Sequence, residues 1–142
     1  KLAHEWEFMH DKTAFNYRMP NLNAALGCAQ LDRLDEFLKN KRNLANKYDI
    51  ALRNSESLQF VSEPNETTSN YWLNTVRLVK PSLQIRNELL TASRAKGYLC
   101  RPAWNLLHQL PMYENSPRAE LPVAQILLNS LINVPSSANL GL

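Results

Sequence analysis

Glycine is scarce in this chain. Gly27, Gly97 and Gly141 are all there are among 142 residues, and their spacing forms neither a GxGxxG fingerprint nor a P-loop, so phosphate cradling by a glycine-rich loop is excluded. No GxSxG elbow or HExxH helix is present. His4, His10 and His108 are too scattered to form a metal cluster, and no metal is expected; His10-Asp11 reads as a surface hydrogen bond rather than a ligand pair. Cysteine is equally sparse. Cys28 and Cys100 have no CxxC or Cys/His spacing and read as reduced thiols of a cytoplasmic protein. No run approaches the roughly 18 to 20 apolar residues a membrane span needs, and Lys1 to Phe8 lack the apolar run of a signal peptide, so neither membrane insertion nor export is expected.

What remains is ordinary globular material. The hydrophobic fraction is 44% and the charged fraction 20%, which points to one compact domain rather than disorder or a fibrous repeat. A formal charge of +3 arises from 16 basic and 13 acidic residues spread along the chain. Nucleic-acid binders instead concentrate lysine and arginine on one face, so no nucleic-acid partner is expected. The opening KLAHEWEFMHDK has neither helical nor strand periodicity and reads as the middle of something longer.

From Pro20 onward Leu22, Leu26, Ala29, Leu34, Leu38, Ala45, Tyr48 and Leu52 recur at steps of three and four or their multiples. This spacing predicts one helix from Pro20 to Asn54-Ser55, about 33 residues and roughly 50 Å long. That exceeds the size of a small globule, about 13 to 15 Å in radius of gyration, so part of the helix is expected to project and be covered by something else. Its other face, with Asp32, Arg33, Asp35, Glu36, Lys39, Lys41 and Arg42, reads as solvated surface, Asp35 and Lys39 being a favourable pair.

Strands are expected at 58–61, 71–79, 98–101 and 131–134, with helices at 81–97 and 122–129 and an ordered loop from Pro102 to Pro117. The first two strands, joined by one loop, should be neighbours. The order helix, strand, strand, helix, strand, helix, strand argues for an α+β fold: a small, mainly antiparallel sheet packed against helices, with one long N-terminal helix.

Two segments carry more polar and aromatic residues than folding calls for. In Phe15-Asn16-Tyr17-Arg18-Met19-Pro20-Asn21, Asn16 and Arg18 precede a helix start, where amide groups and the dipole favour an anion such as phosphate. The structural alternative has Asn16 capping the helix and Arg18 pairing with a carboxylate. In the segment 101–113, an arginine, Trp104, His108 and Tyr113 lie on a proline-stiffened loop suited to holding a ring and an anionic group. The alternative there is a packed loop with Trp104 and Tyr113 as core anchors. These residues alone leave function open between an enzyme site and a binding or oligomerisation module built on the long helix.

At these segments the sequence resembles the pyridoxal-phosphate (PLP) dependent nucleotide-sugar aminotransferases of the DegT/StrS type. Phe15-Asn16-Tyr17-Arg18-Met19-Pro20-Asn21-Leu22-Asn23-Ala24-Ala25-Leu26-Gly27-Cys28-Ala29-Gln30-Leu31 follows that family's GYNYRMxxxxAALGxAQL pattern, and the likeness extends over essentially the whole chain. NYRMPNLNAALGCAQL, NYWLN at Asn70 to Asn74 and RPAWNLLHQLPMY look most like the branch serving nonulosonic acids of the legionaminic type.

The resemblance implies the C-terminal part of a fold-type I aminotransferase: residues 1–19 a remnant of the large PLP-binding domain, residues 20–142 the small domain with its connecting helix. It implies a homodimer, glutamate as amino donor and a keto nucleotide sugar as acceptor. By the same resemblance Asn16 reaches the PLP phosphate of the partner subunit, Arg18 lies in the same anionic region, and Trp104, His108 and Tyr113 face the substrate. No catalytic residue is implied within the chain, because the Schiff-base lysine and the residues that hold the PLP ring belong upstream of Lys1. The isolated piece is therefore expected to be inactive, and prone to self-association through its uncovered apolar surface. Ala14 and Phe15 stand where the family has glycine and tyrosine; a positive φ at Ala14 would cost about 1 kcal/mol.

Overall fold

The computed structural model describes residues 10–15 and 19–142. The chain begins with two helices, α1 (Asn21–Leu31) and α2 (Leu34–Leu52). The single long helix expected from periodicity is therefore broken. Asp32 N–H still reaches the Cys28 carbonyl, but Arg33 N–H turns back to Gln30, tightening the last turn, and Arg33 itself leaves helical geometry at φ −111°, ψ 12°. Helix α2 restarts with Asp35 and Glu36 in its first turn, where carboxylates favour the positive end of the dipole. Arg33 also pairs with Glu36 at 2.9 Å, and among the ion pairs of the described residues the expected Asp35–Lys39 pair does not occur.

The sheet consists of β1 (Leu58–Phe60), β2 (Asn74–Leu78), β3 (Arg101–Pro102) and β4 (Leu131–Val134), in the order β1-β2-β4-β3 with every pairing antiparallel. The α+β class and the β1–β2 neighbourhood follow the sequence reading. Strand β3 is displaced: pairing starts at Arg101, opposite Asn133, rather than at Tyr98. Residues 97 and 98 are occupied with ending the preceding helix, α3 (Leu83–Ala95). Gly97 takes φ +83°, its N–H bonds to Arg94 O and Tyr98 N–H to Ser93 O, the paired closure that a glycine at this position permits. At the other end of α3 the Ser82 hydroxyl accepts from Ile85 N–H at 3.2 Å, a side-chain cap.

Helices α2 and α3 cover one face of the sheet. Ala45, Leu90, Phe60, Val76 and Ile132 form the buried cluster, with Tyr48, Leu52, Leu58, Tyr71, Leu89, Cys100 and Val134 around it. The opposite face is polar: Arg77 donates to Gln59 across β1–β2, and Thr75 to Asn133 across β2–β4. Helix α4 (Pro122–Leu128), with Pro122 in its first turn, leads into β4. The chain closes with a 3-10 turn, Ala138–Gly141, that sequence reading did not expect. It docks on α2 so closely that a Cβ at Gly141 would strike the backbone carbonyl of Asn40. Among the described residues no helix is long and apolar enough to cross a membrane.

Candidate functional site

The polar face of α2 builds the first part of the site. Lys41 and Arg42, expected as solvated surface, are instead half-buried clamps on the loop between β1 and β2. Lys41 Nζ donates to three backbone carbonyls, those of Ser136 (2.6 Å), Trp72 (3.3 Å) and Tyr71 (3.5 Å), and burial lowers its pKa. Arg42 forms a two-pronged pair with Glu63 (2.6 and 3.0 Å) and donates to Ser69 O at 2.7 Å, with its guanidinium 5.7 Å from the centre of the Tyr71 ring. Arg42, assisted by the Ser69 N–H, holds the Glu63 carboxyl well below its ordinary range, at about 2.

This clamp holds a left-handed backbone. Tyr71 has φ +44°, unusual for a bulky side chain and sustained only when the surroundings over-determine it. Its hydroxyl accepts from Glu63 N–H, its own N–H donates to the Ser69 hydroxyl, and Trp72 N–H donates to the Asn70 side chain. Ala14 has no such conformation, so replacing the family's glycine there adds no left-handed strain.

Beyond the clamp, Trp72 stacks on Trp104, with ring centroids 6.2 Å apart and planes at 30°. Trp104 lines a groove of about 480 Å³ together with Arg101, Asn105, Asn133, Ser136 and Ser137. By strand alternation Arg101 and Asn133 lie on the sheet face away from the helices. His108 and Tyr113 lie in a second hollow of about 350 Å³, walled by Leu106, Leu107, Pro117 and Leu121. Each belongs to a short 3-10 turn, Leu107–Gln109 and Pro111–Tyr113, within the ordered loop expected from Pro102 to Pro117. The structure thus brings His108 and Tyr113 together and sets Trp104 in a different groove, against Trp72. Trp104 is exposed rather than a core anchor. Asn16 and Arg18 lie outside the described residues.

Sequence reading missed Trp72, Lys41 and Arg42 as site-builders. The tryptophan was visible in NYWLN, but its role depends on a loop conformation that spacing does not reveal. Two residues on, Asn74 is fully buried, and neither polar atom of its side chain has a partner. Among the described lysines none is placed as a covalent anchor for PLP. Lys41 is the one described lysine withdrawn from full exposure, and its amine is committed to backbone carbonyls. No group of three or more His, Cys, Asp or Glu placed to hold a metal occurs among the described residues.

A model of the DegT/DnrJ/EryC1/StrS aminotransferase family matches residues 2–142. The chain belongs to this family. It is 36% identical over 130 residues to a GDP-perosamine synthase of Vibrio cholerae, covering 91% of this chain and 35% of that protein. To the GDP-perosamine synthase of Escherichia coli O157:H7 it is 34% identical over 141 residues, or 99% of this chain and 37% of the other. The chain therefore spans about a third of the length of these relatives. Its fold matches Helicobacter pylori PseC, an aminotransferase involved in the biosynthesis of pseudoaminic acid, at a TM-score of 0.78 and 19% identity over 92% of this chain and 35% of that one. A sugar-aminotransferase structure from Streptococcus pneumoniae in its PLP form matches at 0.77, with 24% identity over 94% of this chain and 34% of the other. PLP is the cofactor of this family of sugar aminotransferases.

Proposed function

We propose that this chain is the C-terminal part of a PLP-dependent aminotransferase that moves an amino group from glutamate to a keto nucleotide sugar, with residues 1–19 belonging to the large domain and 20–142 forming the small one. The observation that carries this reading is the family match over residues 2–142. The wording of NYRMPNLNAALGCAQL, NYWLN and RPAWNLLHQLPMY favours the branch serving nonulosonic acids of the legionaminic type, while the names of the relatives favour a GDP-linked sugar. In the homodimer, Asn16 binds the PLP phosphate of the partner subunit with Arg18 in the same anionic region, and Trp104, His108 and Tyr113 contact the substrate.

When bound, PLP supplies the electron sink for the transfer; the protein positions the substrate and excludes water. This chain contributes walls. Trp104 offers a flat apolar face, His108 and Tyr113 offer hydrogen-bonding groups in the second hollow, and the Lys41 and Arg42 clamps fix the loop between β1 and β2 that carries Trp72. By itself the chain is expected not to transaminate, because none of its lysines stands in the context that the resemblance gives the Schiff-base lysine.

The test is to express the full reading frame and record the absorbance of bound PLP before and after glutamate. A band that shifts with glutamate supports the reading, and this chain alone should give neither band nor turnover. A folded full-length protein without the band would overturn the enzyme reading in favour of a binding or oligomerisation module.

A further inference from the structure

Resting on the aminotransferase reading, we propose that Trp72 and Trp104 form a stacking platform for the nucleobase of the nucleotide sugar, with the Lys41–Arg42 clamp as its positioning device. The two rings are 67% and 65% exposed, and they stack on each other instead of entering the core cluster. Indole is large and apolar, and it is commonly found where one face is given to a partner. Every nucleobase has a π-face that stacks on an aromatic side chain. The groove beside Trp104 presents Asn105 and Ser137, hydrogen-bonding groups suited to the polar edge of a base, while Asn133 and Ser136 shape its wall through bonds within the fold.

The backbone supports the same assignment. A left-handed tyrosine directly before Trp72 is a strained arrangement, and such strain gathers where a ligand group must be held in place. Here three attachments maintain it: Arg42 beside the Tyr71 ring, the N–H of its ion-pair partner Glu63 on the Tyr71 hydroxyl, and Lys41 on the carbonyls of Tyr71 and Trp72. Lys41 also holds the carbonyl of Ser136, whose hydroxyl accepts from Asn74 N–H and donates to Val134 O. One amine therefore fixes both the Trp72 loop and the Ser136 wall of the groove. Lys41 and Arg42 act through Trp72 and are positioning residues.

The experiment uses the full-length protein and GDP as the probe, with inorganic pyrophosphate as the base-free control. Both rings are exposed, so Trp72→Ala and Trp104→Ala should leave folding intact. Each is expected to weaken GDP binding about 10- to 100-fold and leave pyrophosphate binding unchanged. Trp104→Phe should recover most of the affinity, and GDP should quench tryptophan emission in the parent more than in either alanine variant. If both alanine variants bind GDP like the parent while KM for the nucleotide sugar rises, the platform holds the sugar ring and the base assignment is overturned. Equal loss of pyrophosphate binding would also overturn it, because the defect would not be in stacking. Absence of the glutamate shift in the parent would instead count against the aminotransferase reading, leaving GDP binding to judge the platform separately.

Discussion

Helix α1 leaves Leu22 and Leu26 80% and 61% exposed and buries none of its residues, whereas α2, beginning three residues after α1 ends, buries Leu44, Ala45 and Asn40. Both stretches belong to one run of apolar spacing. The difference lies in what the chain brings to each. Helix α2 has the sheet beneath it, the C-terminal turn at Gly141 against Asn40, and the 63–72 loop bound to Lys41 and Arg42. Nothing among the described residues is packed comparably on α1. Periodicity records that a face is apolar; it does not record whether the same stretch of chain supplies the cover. A bare leucine stripe on an otherwise ordinary domain marks a surface meant for a partner, here the proposed large domain.

The comparison predicts its largest effect at Leu44. Leu44→Ala removes a side chain 6% exposed in the helix that anchors the fold, and the lost burial and the cavity should cost about 2 to 5 kcal/mol in denaturant unfolding. A loss below about 1 kcal/mol would mean that Leu44 can relax at little cost, and that α2 is no better anchored than α1.

How far the sequence made this visible depends on the range over which each feature is determined. Ser82 and Gly97 delimit α3 through bonds only three to five residues long, and both were readable. The break at Arg33 was not, because the leucine spacing runs on past it; the local sign was Asp35-Glu36, acids suited to a helix start and read instead as surface. Strand β3 was displaced because the helix-ending bonds of Gly97 and Tyr98 take precedence over the strand propensity of Tyr98-Leu99-Cys100. The candidate site was half legible. Residue type pointed to Trp104, His108 and Tyr113, yet their division between two grooves and the pairing of Trp104 with Trp72 depend on contacts across the fold. The clamps were least legible, since Lys41 reaches Ser136, 95 positions away in sequence.

A second test concerns the polar half of the anchorage of α2. Glu63 is held at about 2 in the fold against an ordinary value of 4.5, by Arg42 and by Ser69 N–H. A carboxyl whose folded pKa is depressed adds stability above its unfolded value and loses it as the pH falls toward the folded one. The thermal midpoint of the parent should therefore drop between about pH 4.5 and pH 2 by more than that of Glu63→Gln, with the two curves converging at the acid end. Parallel curves would mean that the Arg42–Glu63 pair fixes the loop without contributing to stability, and that α2 differs from α1 by apolar burial alone.

The smallest effect is expected at α1. Leu26→Ser on an uncovered face should change the stability of this chain by no more than about 0.5 kcal/mol, while raising the concentration at which it self-associates. In the full-length protein the same change should be markedly more destabilising, because serine would then replace leucine in a covered apolar contact. The contrast between the two backgrounds is the informative quantity. A large effect in the isolated chain that grows with protein concentration would show that a second copy already covers α1. An equally small effect in both backgrounds would show that the stripe is uncovered in the whole protein too, and the inference from a bare leucine face to a covering domain would have to be given up.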